Sequence, residues 1–272
     1  MGKSFIKMHG LGNDFAIFDA RAEKLAISAD QIRALADRRR GIGFDQIVII
    51  EQPVTPETDA FLRIYNADGN EVGACGNATR CIASLLIGEL GKPDVVLETR
   101  AGKLRAKTTG HQVTVDMGMA YLKWQEIPLS HEENTLSLSI SAGVLKQPVA
   151  VNIGNPHAVF FVSDVAKVAL EADGPKIERH PLFPERTNVE VAQVISPSKI
   201  RMRVWERGVG ITQACGTGAC AVAVAGVRRG LTNRKVTVVL DGGELEIEWR
   251  ESDGHVLMTG DVAEVYRGEV DV

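Results

Sequence analysis

Two cysteines in the 272-residue chain stand directly before a glycine, each at the start of an apolar stretch rich in small residues. The pairs are Cys75-Gly76 and Cys215-Gly216, and the stretches that follow them predict buried helices. A helix N-terminus offers backbone N–H groups and a positive dipole end, which bind anions and lower the pKa of a neighbouring thiol. Two such thiols could therefore exchange protons with a molecule whose carboxylate is bound there.

The other two cysteines, Cys81 and Cys220, fall inside the predicted helices, and we expect them to be small buried core residues. Structural zinc sites use closely spaced cysteine pairs completed by further ligands, and neither the cysteine spacing nor a histidine pair fits that pattern. The sequence therefore predicts no metal site.

Both cysteine segments belong to a long internal repeat. Asn13 is matched by Asn155, and Asn66 is matched by Glu206, at an offset of about 140 residues. From Asn66 and from Glu206 the chain runs the same distance to its cysteine. Each half should therefore build the same structure and place a cysteine at the same point of it.

The elements around the cysteines predict a mixed α+β protein of two similar domains. We assign residues 1–118 to the first domain and 119–260 to the second, while 261–272 lies beyond the repeat and could pair with either. A shorter helix should begin after Ser28, with Gln31 completing a capping box, and stop at Gly41. Strands are predicted over 15–19, 47–50, 61–65, 95–97, 113–115, 149–153, 189–194, 200–205, 236–240 and 245–249.

If the two halves close around a cleft by pseudo-twofold symmetry, the two thiols would face one another across it. A carboxylate held by both helix starts would then place its α-carbon between a thiolate that takes a proton and a thiol that gives one. The helix N-termini would stabilise the developing carbanion without a cofactor. The pattern thus indicates a two-base racemase or epimerase.

Composition excludes several other classes. Lys and Arg number 31 against 35 Asp and Glu, a formal net charge of −4, so no basic field draws in nucleic acid. The longest apolar runs fall well short of the roughly 20 residues that span a bilayer. Lys7 and His9 interrupt any signal-peptide core. We therefore expect a cytoplasmic enzyme that acts on a small molecule, with neither nucleic acid nor membrane as partner.

Eight blocks along nearly the whole chain resemble the diaminopimelate epimerase family, whose members interconvert LL- and meso-diaminopimelate without a cofactor. They are His9-Gly10-Leu11-Gly12-Asn13-Asp14-Phe15, Gly43-Phe44-Asp45-Gln46, Asn66-Ala67-Asp68-Gly69, Cys75-Gly76-Asn77, Gly154-Asn155-Pro156-His157, Thr187-Asn188, Trp205-Glu206-Arg207-Gly208, and Ala214-Cys215-Gly216-Thr217-Gly218.

The resemblance implies an active site in the cleft between two domains, each a mixed sheet around a central apolar helix, with the C-terminal strand returning to the first domain. It makes Cys75 and Cys215 the acid and base, assisted by His157 and Glu206. It favours a homodimer and a role in lysine and peptidoglycan precursor biosynthesis. The residues implied in substrate binding are Asn13, Gln46, Asn66, Gly76, Asn77, Asn155, Asn188, Glu206, Arg207, Gly216 and Thr217.

One position departs from the family pattern, because Ala78 stands where the family usually has glycine. We infer that residue 78 is ordinary helix here, since an alanine at positive φ would cost about 1 kcal/mol or more.

Alternative interpretations stay open at this point. Singly, the asparagines fit turns, His157 fits a buried histidine and Arg207 fits a solvated charge. Residues 216–221 fit a dinucleotide-binding glycine pattern, although about ten loop residues separate them from the preceding strand. A proline or hydroxyproline racemase shares the two-cysteine chemistry. A thiol redox or ligand-binding protein would instead join Cys75 and Cys215 in a reversible disulfide.

Overall fold

The computed structural model describes residues 2–272 and divides them into two compact units. One unit runs up to Val115 and includes Gly260–Val272, and the other is Asp116–Thr259. Among residues 2–272 no helix is long and apolar enough to cross a membrane.

The first part of the chain alternates strands with two helices. Its elements are β1 (Gly2–Gly10), β2 (Asn13–Asp19), α1 (Ala29–Ala36), β3 (Gln46–Glu51), β4 (Ala60–Asn66), β5 (Glu71–Val72), α2 (Gly76–Leu90), β6 (Asp94–Thr99), β7 (Gly102–Thr109) and β8 (Gln112–Met119).

The second part repeats this arrangement after a short hairpin. Its elements are β9 (Ser141–Ala142), β10 (Leu145–Lys146), β11 (Val149–Asn152), β12 (Pro156–Phe161), a 3-10 turn (Val165–Lys167), α3 (Leu170–Glu178), β13 (Asn188–Ser196), β14 (Lys199–Glu206), β15 (Gly210–Thr212), α4 (Gly216–Arg228), β16 (Lys235–Leu240), β17 (Gly243–Trp249) and β18 (His255–Gly260). The last strand, β19 (Ala263–Asp271), pairs antiparallel with β1.

Strand pairing follows one order in both units. In the first unit β1 and β2 are antiparallel, β2 and β3 parallel, β3 and β4 antiparallel, β4 and β6 parallel, and β6, β7 and β8 antiparallel. In the second, β11, β12, β13, β14, β16, β17 and β18 pair with the same sequence of directions. The predicted duplication is therefore confirmed at the level of topology.

Each sheet packs on one long, small-residue helix. In α4 ten residues are buried, and the helix contacts β11 to β14, β16 and β17. In α2 ten residues are also buried, and its contacts are with β1, β6 and β7. Alanine, glycine and cysteine side chains let strands approach the helix on several sides, because little volume separates the backbones. The α+β architecture of two similar halves, each with a central apolar helix, is confirmed.

Helix α1 begins as predicted but ends earlier. Ser28 and Gln31 form both hydrogen bonds of the capping box. The predicted end at Gly41 is wrong, because the helix stops at Ala36 and Asp37 is its C-cap. The Asp37 carboxylate accepts hydrogen bonds from the backbone N–H groups of Arg39 and Arg40, at 2.8 and 3.0 Å. Such a local turn competes with helix continuation.

Helix α3 was not predicted, because Gly174 and Pro175 interrupt its sequence. Tertiary contacts stabilise it instead. Gly174 lies against the Trp205 indole so closely that an added Cβ would be 2.7 Å from Cγ. Glu178 accepts a hydrogen bond from Trp205 Nε1 at 2.8 Å.

Candidate active site

Both matched cysteines are the N-cap residues of the central helices. Cys75 precedes α2 and Cys215 precedes α4, each in an extended conformation (φ −145° and −120°). Their carbonyl groups accept the first helical hydrogen bonds, from Thr79 at 2.9 Å and Ala219 at 3.0 Å. The prediction of cysteines at two helix starts is therefore confirmed.

The residues that follow each cysteine carry first-turn N–H groups, which no residue within the same helix can satisfy. These residues are Gly76 and Asn77 in α2, and Gly216 and Thr217 in α4. Ala78 lies inside α2, fully buried, so the inference that it is ordinary helix is confirmed. Each helix start is thus shaped to receive an anion.

Around Cys75 the polar side chains are amides, and we call Asn13, Gln46, Asn66, Cys75 and Asn77 the amide half-site. Asn13 Oδ1 accepts hydrogen bonds from Asn77 Nδ2 at 3.1 Å and from Cys75 Sγ at 3.8 Å. Gln46 Nε2 donates to Asn66 Oδ1 at 2.8 Å, across the antiparallel pair of β3 and β4. The predicted residues of the first half thus form two hydrogen-bonded groups, one of Asn13, Cys75 and Asn77 and one of Gln46 and Asn66.

Asn13 is hydrogen-bonded to a network of charged side chains. Asn13 Nδ2 donates to Asp45 Oδ2 at 3.0 Å, and Arg38 joins Asp45 to Asp14. The Lys7 ammonium, nearly buried, also contacts the Asp14 carboxylate. Burial alone would raise the pKa of Asp14, but the hydrogen bonds and charges of Arg38 and Lys7 outweigh it and lower that pKa to about 2.

Around Cys215 most of the polar side chains are ionisable. We call Asn155, His157, Glu190, Glu206 and Cys215 the ionisable half-site. His157 is fully buried, with Nδ1 2.7 Å from Glu190 Oε1 and Nε2 2.9 Å from Asn155 Oδ1. The Cys215 thiol and the Thr212 hydroxyl both hydrogen-bond the Glu206 carboxylate. Thr217 Oγ1 lies 3.6 Å from Cys215 Sγ, and Gly218 N donates to that sulfur at 3.4 Å.

Burial and negative charge keep Cys215 protonated. Burial raises the pKa of the Cys215 thiol well above its ordinary value, and the nearby carboxyl groups of Glu206 and Glu190 raise it further. Burial likewise raises the pKa of Glu206. The expectation that the helix start would lower the thiol pKa is wrong for Cys215, because burial and the two carboxyl groups outweigh the hydrogen bonds of Thr217 and of the Gly218 N–H.

Strand register shows which positions of the two units correspond. Phe15 and Gln46 pair in parallel in the first unit, as His157 and Asn188 do in the second. Two residues further on, Val48 occupies the place of Glu190. One fold therefore carries an apolar pair at these positions in one unit and a histidine with a carboxylate in the other.

Arg207 is largely exposed and follows β14. Its backbone N–H donates to Asn188 Oδ1 at 2.9 Å, while the guanidinium donates to the Glu185 carbonyl at 3.0 Å. Asn188 is buried and also donates to the Pro156 carbonyl at 3.0 Å. Asn188 thus fixes the backbone of Arg207, leaving the guanidinium on an exposed side chain.

Three residues of this site, Asp45, Glu190 and Thr212, are not predicted from the sequence. Glu190 had a recognisable signal, since it interrupts the apolar strand Val189–Val194 and a fully buried strand should carry no carboxylate without a partner. Asp45 lies in one of the eight matched blocks, although no role was assigned to it. Within residues 2–272 no group of three or more His, Cys, Asp or Glu side chains is placed to hold a metal ion.

Comparison with known proteins agrees with this geometry. A family model described as "Diaminopimelate epimerase" matches residues 5–123 and 149–265. The chain is 54% identical to a diaminopimelate epimerase of Rhodospirillum centenum, covering 99% of this chain and 93% of that protein. It is 52% identical to one of Erythrobacter litoralis, covering 100% of this chain and 98% of the relative.

Solved structures share the fold at low identity. A hydroxyproline epimerase from Agrobacterium vitis gives a TM-score of 0.71 at 16% identity, covering 99% of this chain and 91% of that chain. A Bacillus anthracis phenazine biosynthesis protein of the PhzF family gives 0.71 at 15% identity, with 100% of both chains covered.

The family match identifies the chain as an isomerase of the amino-acid epimerase class. Within that class, the chain belongs to the diaminopimelate epimerase family.

The Asp14 network gives a stability prediction with a definite pH range. A lowered pKa means that ionised Asp14 stabilises the fold above the unfolded value of 3.8, and that this stabilisation is lost as pH falls through about 2. We expect Asp14→Asn to lower the free energy of unfolding by about 2 kcal/mol at pH 7. Urea unfolding from pH 7 to pH 2 measures the difference, which should shrink below pH 4.

Asp253→Asn is the matched control. The pKa of Asp253 is also about 2, held down by its hydrogen bond from Arg250, but this pair is solvent-exposed. Such pairs contribute little to stability. Equal destabilisation by the two substitutions, or a pH-independent effect of Asp14→Asn, would contradict the account.

Proposed function

We propose that the protein interconverts LL- and meso-diaminopimelate by transferring a proton at one α-carbon between two cysteines. The single observation that carries the proposal is the placement of Cys75 and Cys215 as N-caps of equivalent helices in a duplicated fold. Inversion requires a proton to leave one face of the carbon and another to arrive on the opposite face. Two cysteines presented alike by two similar half-sites suit that requirement.

The helix N-termini supply the anion site for this reaction. We assign the backbone N–H groups of Gly76, Asn77, Gly216 and Thr217 to the carboxylate at the reacting centre. When the α-proton leaves, negative charge spreads from the carbon into that carboxylate. Fixed N–H donors then stabilise the carbanion more strongly than the starting amino acid, and this lowers the barrier.

The raised pKa of Cys215 supports an assignment of the first proton transfer. Because its pKa is raised, Cys215 rests as a thiol and is the proton donor. In the direction in which Cys215 donates, Cys75 is the base: once it has lost the proton that it donates to Asn13, its thiolate takes the α-proton and forms S–H while the C–H electron pair becomes the carbanion. The carbanion takes the proton of Cys215, which is left as the thiolate. Reaction in the opposite direction begins from that state.

The remaining residues have proposed roles at the same centre. Glu206 and His157 assist the cysteines, since Glu206 hydrogen-bonds Cys215 and His157 lies in the same half-site. Asn13 orients Cys75. Binding of the distal amino and carboxyl groups is assigned to Gln46, Asn66, Asn155, Asn188, Glu206 and Arg207.

We further propose that the enzyme works in the cytoplasm, as a homodimer and without an added cofactor, in lysine and peptidoglycan precursor biosynthesis. The family match supports the biosynthetic role. Residues 1–118 and 119–260 are proposed as its two domains, with 261–272 completing the first.

Replacing either proposed acid–base cysteine tests the mechanism. Cys75→Ser and Cys215→Ser should each lower kcat by roughly 10²–10⁴-fold, because a serine hydroxyl is far too weak an acid to replace a thiol near neutral pH. Turnover is measured by separating the two isomers chromatographically, with circular dichroism to check folding.

Cys81→Ala and Cys220→Ala are the matched controls, since both thiols are fully buried inside the central helices. Burial raises the pKa of Cys81 to about 12, so it is inert at neutral pH. Both controls should retain turnover. A Cys75→Ser or Cys215→Ser variant with wild-type kcat would refute the mechanism.

Substitution of Arg207 tests whether this residue binds the distal carboxylate of the substrate. Its guanidinium can hold a carboxylate through two charge-assisted hydrogen bonds, so Arg207→Ala should raise KM for diaminopimelate roughly 10–100-fold. Arg179→Ala, on an exposed arginine at the end of α3, is the control and should leave KM unchanged. An unaltered KM in Arg207→Ala would remove Arg207 from substrate binding.

A further inference from the structure

Both ring nitrogens of His157 contact side chains of the second unit. It is fully buried, and its ring nitrogens contact Glu190 Oε1 at 2.7 Å and Asn155 Oδ1 at 2.9 Å. An ionised glutamate can only accept hydrogen bonds. The contact therefore places a proton on Nδ1 of the histidine, whichever way the Asn155 amide is turned. Nε2 contacts the neutral Asn155 amide, so it is the ring atom whose proton can change without the loss of a carboxylate partner.

Glu190 contacts more than the histidine. An added Cβ on Gly218 would lie 2.9 Å from Glu190 Oε1 and 3.2 Å from Cys215 Sγ. The carboxylate thus lies beside the first turn of α4, where a side chain larger than hydrogen would separate it from the cysteine. One buried charge therefore acts on His157 and on the surroundings of Cys215 together.

The stability of the fold does not explain why a carboxylate is buried at position 190. Glu190 is fully buried, and its Oε2 has no hydrogen-bond partner among residues 2–272. A buried, partly unsatisfied carboxylate costs stability. The first unit builds the same strands with Phe15 and Val48 at the corresponding positions. An apolar pair therefore suits this backbone, and the charged pair needs another explanation.

We infer that Glu190 is a positioning residue of the epimerase reaction, which fixes His157 with its proton on Nδ1 and presents Nε2 for proton exchange. This inference rests on the proposed function, in which His157 assists a cysteine. Glu190 itself acts through the histidine and through its charge beside Cys215.

Glu190→Gln removes the charge and keeps the shape. We expect kcat to fall about 10²–10³-fold in both directions, with KM changed less than about threefold, because proton transfer is affected and binding is not. The pH profile of kcat/KM should also shift, since losing a negative charge beside Cys215 favours its thiolate. Asp173→Asn, another buried carboxylate of the second unit, is the matched control and should change neither kcat nor the profile.

Nuclear magnetic resonance gives a readout independent of turnover. The chain has six histidines, so ¹⁵N-histidine labelling with His157→Asn as the assignment control isolates one ring. Wild-type His157 should show a protonated Nδ1, and Glu190→Gln should change its ¹⁵N shifts. A catalytically inactive wild-type protein would refute the proposed function, whereas the ring spectrum would still test the Glu190 contact.

A double substitution separates positioning from folding. His157→Phe with Glu190→Val copies the pair found in the first unit, and it should fold at least as stably as the wild type while losing turnover. Adding Glu190→Gln to His157→Asn should cost less activity than Glu190→Gln alone, because the part of its effect that acts through the histidine is already lost. Wild-type kcat and an unchanged His157 spectrum in Glu190→Gln would overturn the inference.

Discussion

The first-turn N–H groups of α2 and α4 are the constraint on which the rest of the structure depends. Each helix must be buried to its first residue and yet present those groups to a ligand. Small side chains allow the sheets to pack around the helices, and the loops before Cys75 and Cys215 bring the thiols to their ends. In the proposed reaction, the substrate carboxylate accepts hydrogen bonds from these N–H groups.

The two units share one backbone fold, but the side chains around their cysteines differ. The amide half-site is polar but uncharged, whereas the ionisable half-site surrounds its cysteine with Glu206, His157 and Glu190. Negative charge and burial keep Cys215 protonated. A pair of groups that transfers a proton needs one protonated and one deprotonated member. Different neighbouring side chains on the same backbone fold can give the two cysteines different pKa values.

Much of the fold followed from periodicity and from the repeat, because the central helices and most buried strands have strong local patterns. Helix α3 did not, since Trp205 and Glu178 stabilise it through tertiary contacts. The end of α1 was also missed, because a side-chain turn at Asp37 outcompeted the helix. The raised pKa of Cys215 could not be predicted from its position at a helix start, since burial and two carboxyl groups brought close to it by the fold cause the shift. Domain limits and residue roles stay predictions.

The most direct test of two-cysteine epimerisation is proton nuclear magnetic resonance of the reduced protein with LL-diaminopimelate in D₂O, without added cofactor. Proton transfer through exchangeable thiols predicts that deuterium enters one α-carbon as the meso isomer appears. Absence of both meso product and α-deuterium, from a folded protein with reduced cysteines, would contradict the account.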